Sequence, residues 1–174
     1  VDASDSDDEW RMLWALDVAD GAVRRCSRPG LNVWEATWLG VDHAAAVASE
    51  APSEGAWYGS ALVVVDLEAG QEREVLRSPV QLGYAEGRAD GAAIAVLQGV
   101  ASDRYLVAGD LLLVDPTTSA VNTVDTAGVD VTSATWRRRS PPTNGCCTRP
   151  PRIFPAWTRW ACVPHSSSTP SWPD

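Results

Sequence analysis

Leu13-Trp14-Ala15-Leu16-Asp17, Leu62-Val63-Val64-Val65-Asp66 and Leu111-Leu112-Leu113-Val114-Asp115 are three versions of one phrase, an apolar strand closed by an aspartate. Asp17, Asp66 and Asp115 stand 49 residues apart, twice over. A turn residue follows each at one offset: Gly21, Gly70 and, in the third version, Ser119. A second marker keeps the same period. Val33-Trp34-Glu35-Ala36-Thr37-Trp38 returns 98 residues later as Val131-Thr132-Ser133-Ala134-Thr135-Trp136, with Leu82-Gly83-Tyr84-Ala85-Glu86-Gly87 midway. A fixed period of this size is the sign of a repeat architecture.

Each period reads as four short strands rich in Val, Leu, Trp and Ala, bounded by Gly, Pro, Asp or Ser. Strands are expected at about 33–38, 44–50, 60–67 and 72–77, and again at 80–86, 92–98, 110–115 and 120–124. The third strand of each copy is almost continuously apolar, as suits a strand covered on both faces. Alanine favours helix, so 44–48 has a competing reading; its shortness and its place in the repeat decide for strand. One four-stranded unit cannot bury both of its faces, and radial stacking of copies solves that problem. The expected class is therefore all-β: a partial β-propeller of four-stranded antiparallel blades on a 49-residue repeat, with an irregular C-terminal tail. An immunoglobulin-like sandwich does not require one motif every 49 residues, and solenoid coils are usually shorter.

By this period the chain divides into a half blade at 1–26, blades at about 31–77 and 79–125, and the first strand of a further blade at 129–136. Beyond 136 the pattern stops. Residues 137–174 hold eight of the twelve prolines, three of the four cysteines and six arginines but a single acid, Asp174. Residues 1–136 carry 8 Arg and 22 acids, so that part is −14 and the tail +5 within a total of −9. Proline at this density is incompatible with a sheet, because each removes a ladder donor. The tail is expected to be disordered or to be translated out of frame. A chain with no Lys, one Phe and two Ile looks like the product of GC-rich codons, which in a shifted register give many Arg, Pro, Ser, Cys and Trp.

Acidity argues against a nucleic-acid partner, since phosphate binding needs clustered positive charge. No run approaches the ~18 apolar residues of a membrane span, and no signal sequence is visible at the N-terminus; the expected location is the cytoplasm. No cofactor is expected. The cysteines Cys26, Cys146, Cys147 and Cys162, with the histidines His43 and His165, lack the spacing of a zinc site, and unpaired thiols are the simpler reading. Asp2, Asp5, Asp7, Asp8 and Glu9 lack the glycine and the terminal glutamate of a calcium loop. Asp17, Asp66 and Asp115 are read as turn formers that satisfy local backbone donors. Trp14, Trp34, Trp38 and Trp57 are read as blade packing.

The segment from Ala36 to Glu50 resembles the “W-S-P-D-G-x-x-I-A-F” blade entry of TolB-like propellers and of the propellers of the S9, or prolyl oligopeptidase, serine peptidases. Ala61–Gly70 is similar to their “I-x-V-V-D-x-x-x-G” strand and turn, and Asp90-Gly91 keeps the Asp-Gly that has become Asp42-His43. The style is closest to the dipeptidyl and acylaminoacyl peptidase branch, and it covers residues 1–136. The resemblance implies a propeller that gates access to a separate α/β-hydrolase domain, in a parent that hydrolyses peptides. The implied partners are that domain, the remaining blades and a peptide substrate. No catalytic residue carries over. Gly59-Ser60 lacks the G-x-S-x-G frame of a nucleophile elbow, as does Ser166-Ser167-Ser168 beside His165. The expected function is that of a non-catalytic propeller fragment. A TolB-like or WD40-like interaction scaffold is the alternative, and a metal-dependent propeller enzyme lacks ligands, with His43 alone in the body.

Overall fold

The computed structural model describes residues 10–100 and 108–136. Ten short strands and one helical turn follow one another: β1 (Trp14–Leu16), β2 (Val23–Arg25), β3 (Asn32–Leu39), β4 (His43–Ser49), α1 (Glu54–Tyr58), β5 (Ala61–Asp66), β6 (Glu72–Arg77), β7 (Gln81–Gly87), β8 (Ile94–Gly99), β9 (Asp110–Val114) and β10 (Val121–Thr123). They form a two-stranded sheet β1-β2 and two four-stranded antiparallel meanders, β3-β4-β5-β6 and β7-β8-β9-β10. The described residues are all-β apart from α1.

The repeated aspartates make one turn three times over. Asp17 Oδ1 accepts from Ala19 N, Asp66 Oδ1 from Glu68 N and Ala69 N, and Asp115 Oδ1 from Thr117 N and Thr118 N. Four residues on, the amides of Gly21, Gly70 and Ser119 donate back to the aspartate carbonyls at 2.8, 2.9 and 2.9 Å. All three of those residues have positive φ, at 77°, 65° and 61°. The left-handed region costs an L side chain energy and costs glycine none, which is why glycine fills two of the three positions.

Ala44–Ala48 lies in β4, as the repeat required, and is buried on both faces. One face joins the core formed with the next sheet: Leu39, Ala45, Val47, Leu62, Val64 and Val75 meet Leu82, Ile94, Val96, Leu112 and Val114. On the other face Ala46, Ala48, Ala61, Val63 and Val65 form a second cluster, against which Leu13 packs. Burying one of the Val, Leu or Ile side chains of these clusters is worth about 2 kcal/mol. Close approach is built in at Gly87, where a Cβ would stand 2.0 Å from the Trp38 carbonyl oxygen.

Three features depart from the sequence reading. The second strands are offset by 50 residues, not 49: Ala44 pairs with Val65 and Ile94 with Val114, and those partners are 49 apart. The extra residue is taken up in the longer turn between β7 and β8. Second, 129–136 contains no strand; Val131 makes an isolated bridge to Gly109, and Trp136 Nε1 donates to the Glu86 carbonyl at 2.9 Å. The strand expected to pair with it falls beyond residue 136, outside the described residues, as do the whole tail and the acidic stretch at 2–9. Third, α1 interrupts the β4–β5 connection, with Ser53 as its N-cap and Glu54 in its first turn.

Candidate functional site

The junction between successive sheets is built twice from equivalent residues. Arg24, on β2, donates to the Leu67 carbonyl of the next sheet; Arg73, on β6, donates to the Pro116 carbonyl of the sheet after that. Donors and acceptors are each 49 residues apart, and both acceptors directly follow a turn aspartate. Arg73 also reaches the Ser119 hydroxyl at 3.3 Å. The junction has a direction: the face bearing Leu62 and Val64 meets the face bearing Leu112 and Val114. Those last two are the 49-residue equivalents of Val63 and Val65, which face the opposite way in the middle sheet. The arginines were missed in the sequence although their spacing carried the signal, because strand pattern and turns had set the period without them.

First strands are joined by a carboxylate. β7 is bulged between Gly83 and Glu86, and Tyr84 there has φ 53°. Glu35 Oε2, on β3, accepts from the Tyr84 amide at 2.6 Å. Burial pushes the Glu35 carboxyl above the ordinary carboxylate range, opposed by hydrogen bonds from the Tyr84 and Ala85 amides. A half-buried carboxyl that accepts from freed backbone donors is a structural staple, and its ionised form is the costly one.

The groups with the look of chemistry are dispersed. Ser60 is buried, and its hydroxyl donates to the Trp57 carbonyl at 2.6 Å, behind the C-terminal end of α1. His43 Nδ1 lies 2.7 Å from Asp42 Oδ1 at the rim of a polar cleft of about 320 Å³, which Arg73, Asp90 and Thr117 also line. That arrangement orients an imidazole but brings no serine or cysteine to it. Cys26 is buried with a free thiol. Among the described residues no three His, Cys, Asp or Glu side chains gather as a metal site would need. Cys146, Cys147, Cys162, His165 and Ser166-Ser167-Ser168 lie outside the described residues.

The tryptophans divide. Trp34 packs against Trp57 with ring centroids 5.9 Å apart, and Arg11 stands over it at 4.6 Å. Trp14, expected to pack within a blade, is instead 56% exposed, because among the described residues no sheet covers the outer face of β1-β2. Beside it runs an apolar groove of about 340 Å³, between β1 and the Ala36, Trp38 and Ala44 side chains of β3 and β4. This groove is lined by apolar side chains, and the inter-sheet junctions are packing and hydrogen-bond contacts within the chain. Comparison with known proteins finds no family model that matches the chain and no curated protein that matches it.

Proposed function

We propose that the chain is a run of β-propeller blades that serves as a non-catalytic module: the gating propeller of a serine peptidase of the prolyl oligopeptidase type, paired in its parent with an α/β-hydrolase domain. The observation that carries the stacking part of this reading is the directional junction, in which Arg24–Leu67 and Arg73–Pro116 repeat one inter-sheet contact. A heterologous contact of this kind builds either a closed ring or an open stack, and the ring of blades is the closed form. The peptidase part rests on the blade motifs at 36–50 and 61–70. In this reading the protein acts in the cytoplasm and the parent's substrate is a peptide. A TolB-like or WD40-like interaction scaffold shares every structural feature of this reading, since fold does not fix function.

Coding DNA read in all three frames past the codon for Trp136 separates the two. A resumed blade pattern followed by G-x-S-x-G supports the peptidase, whereas further blades and then a stop support the scaffold. Purified chain is expected to leave chromogenic aminoacyl and acyl-aminoacyl substrates intact; turnover that Ser60→Ala abolishes overturns the non-catalytic reading.

A further inference from the structure

The two-stranded sheet β1-β2 ends in an open edge with a slot beside it. Leu13 accepts from Cys26 N at 2.8 Å and Asp17 N donates to the Ala22 carbonyl at 2.8 Å, so both turn their backbone groups toward β2. Backbone direction alternates along a strand. Trp14 and Leu16 therefore point their amides and carbonyls away, to the side where β1 has no neighbour among the described residues. Their equivalents 49 residues on, Val63 and Val65, are paired with Ala46 and Ala44 of β4. The groove lies on that same side of β1, and Ala36, which lines it, is exposed while Ala44 beneath is buried.

We infer that this slot is a strand-acceptor site: it takes a two-stranded segment of another polypeptide, extended and carrying small apolar side chains at alternate positions, which pairs antiparallel to β1 at Trp14 and Leu16. What fills the equivalent place in the middle sheet defines the occupant. There β4 pairs with β5, and Ala45 and Val47 of β4 enter the core against the next sheet while Ala44, Ala46 and Ala48 point the other way. The residue opposite Ala15 enters the groove over Trp38 and Ala44, and it need not be small. Main-chain pairing supplies affinity and alternate side chains supply selectivity in this mode of recognition. The site depends on the 49-residue equivalence and not on the peptidase reading.

A dye-labelled synthetic peptide of residues 32–49, the chain's own β3–β4 segment, tests this against the full-length chain by fluorescence anisotropy. Saturable binding is expected, weakened at least about tenfold by Leu16→Pro, which removes an outward amide while sparing the β1–β2 ladder. Ala36→Trp, which fills the groove, is expected to weaken binding as well, and it keeps the test open if Leu16→Pro disturbs the fold. Val121→Pro, a comparable change on outer strand β10, is expected to leave binding unchanged. Absent binding, or binding indifferent to both β1-side variants, overturns the proposal. Light scattering that shows a dimer dispersed by Leu16→Pro also overturns it, in favour of a second copy as the occupant.

Discussion

The hairpin β1–β2 and the hairpin β5–β6 are the same object in sequence and turn geometry, set in different surroundings. Both close on an aspartate whose carboxylate caps the loop, and both carry a left-handed glycine at the same offset. Both send an arginine to the next sheet. Yet Val63 and Val65 are 5% and 0% exposed, whereas their counterparts Trp14 and Leu16 are 56% and 40% exposed. Among the described residues, β5 has a strand on either side and a sheet over each face, whereas β1 has one strand and one covered face. Local sequence sets the hairpin, and neighbours set its burial.

The largest expected effect breaks that pairing at its most unequal point. Val65→Ala should lower unfolding free energy by roughly 2 kcal/mol in urea titrations, through lost burial and the cavity it leaves. Leu16→Ala, at the equivalent position, should stay within about 0.5 kcal/mol, as exposed sites do. Equal losses would mean that the outer face of β1–β2 is covered in solution.

Next in size are the shared turn and the shared arginine. Gly70→Ala forces an L side chain into φ 65° and should cost about 1 kcal/mol. Arg73→Ala deletes the reach to Pro116 and Ser119 and should also cost about 1 kcal/mol. Combined with Ser119→Ala in a double-mutant cycle, it should couple through the lost Oγ contact. Strict additivity would remove Ser119 from the junction.

The smallest effects are in pH dependence, and they have opposite signs. The Glu35 carboxyl is raised above its reference of 4.5, so the folded state keeps that proton to higher pH than the unfolded chain does. Its contribution to stability is greatest below pH 4.5 and declines as pH rises through the folded value. The turn carboxylates Asp66 and Asp115 are held below their reference of 3.8, first by the amides of Ala69 and Thr118. Their contribution is present above 3.8 and is lost as pH falls through the folded values. From pH 7 down to about 4.5, the melting temperature of the native chain should therefore gain on that of Glu35→Gln. Below 3.8 its advantage over Asp115→Asn should shrink. A Glu35→Gln difference that does not move with pH would mean that the carboxyl is not desolvated at the β3–β7 contact.

How much of this was legible in the sequence follows from what each feature depends on. Turn chemistry is local, so Asp17, Asp66 and Asp115 announced three hairpins and fixed the period. β5 and β9 were legible because burial on both faces removes polar residues from the run. The offset of 50 in the second strands was hidden, since alanine-rich β4 and Ile94–Gly99 align about equally well one residue apart and only hydrogen-bond register separates them. Trp14 was misread because a tryptophan on a repeat strand packs only if a neighbouring sheet arrives, which its own sequence does not encode. The Glu35–Tyr84 staple was invisible for a related reason: it depends on a bulge in β7, and Leu82-Gly83-Tyr84 looks like an ordinary strand. No site residue was expected, and no motif marked the apolar groove at Trp14, Leu16 and Ala36 or the inter-sheet contacts of Arg24 and Arg73.

Residue-resolved amide hydrogen exchange tests most directly whether β1–β2 is the partial counterpart of a sheet that is whole in β3–β6. The account predicts slow exchange at Val63 and Val65, whose strand is paired on both sides. It predicts fast exchange at Trp14 and Leu16, with protection at Asp17 and Cys26, whose amides bond within the hairpin. Protection at Trp14 and Leu16 equal to that at Val63 and Val65 would contradict it.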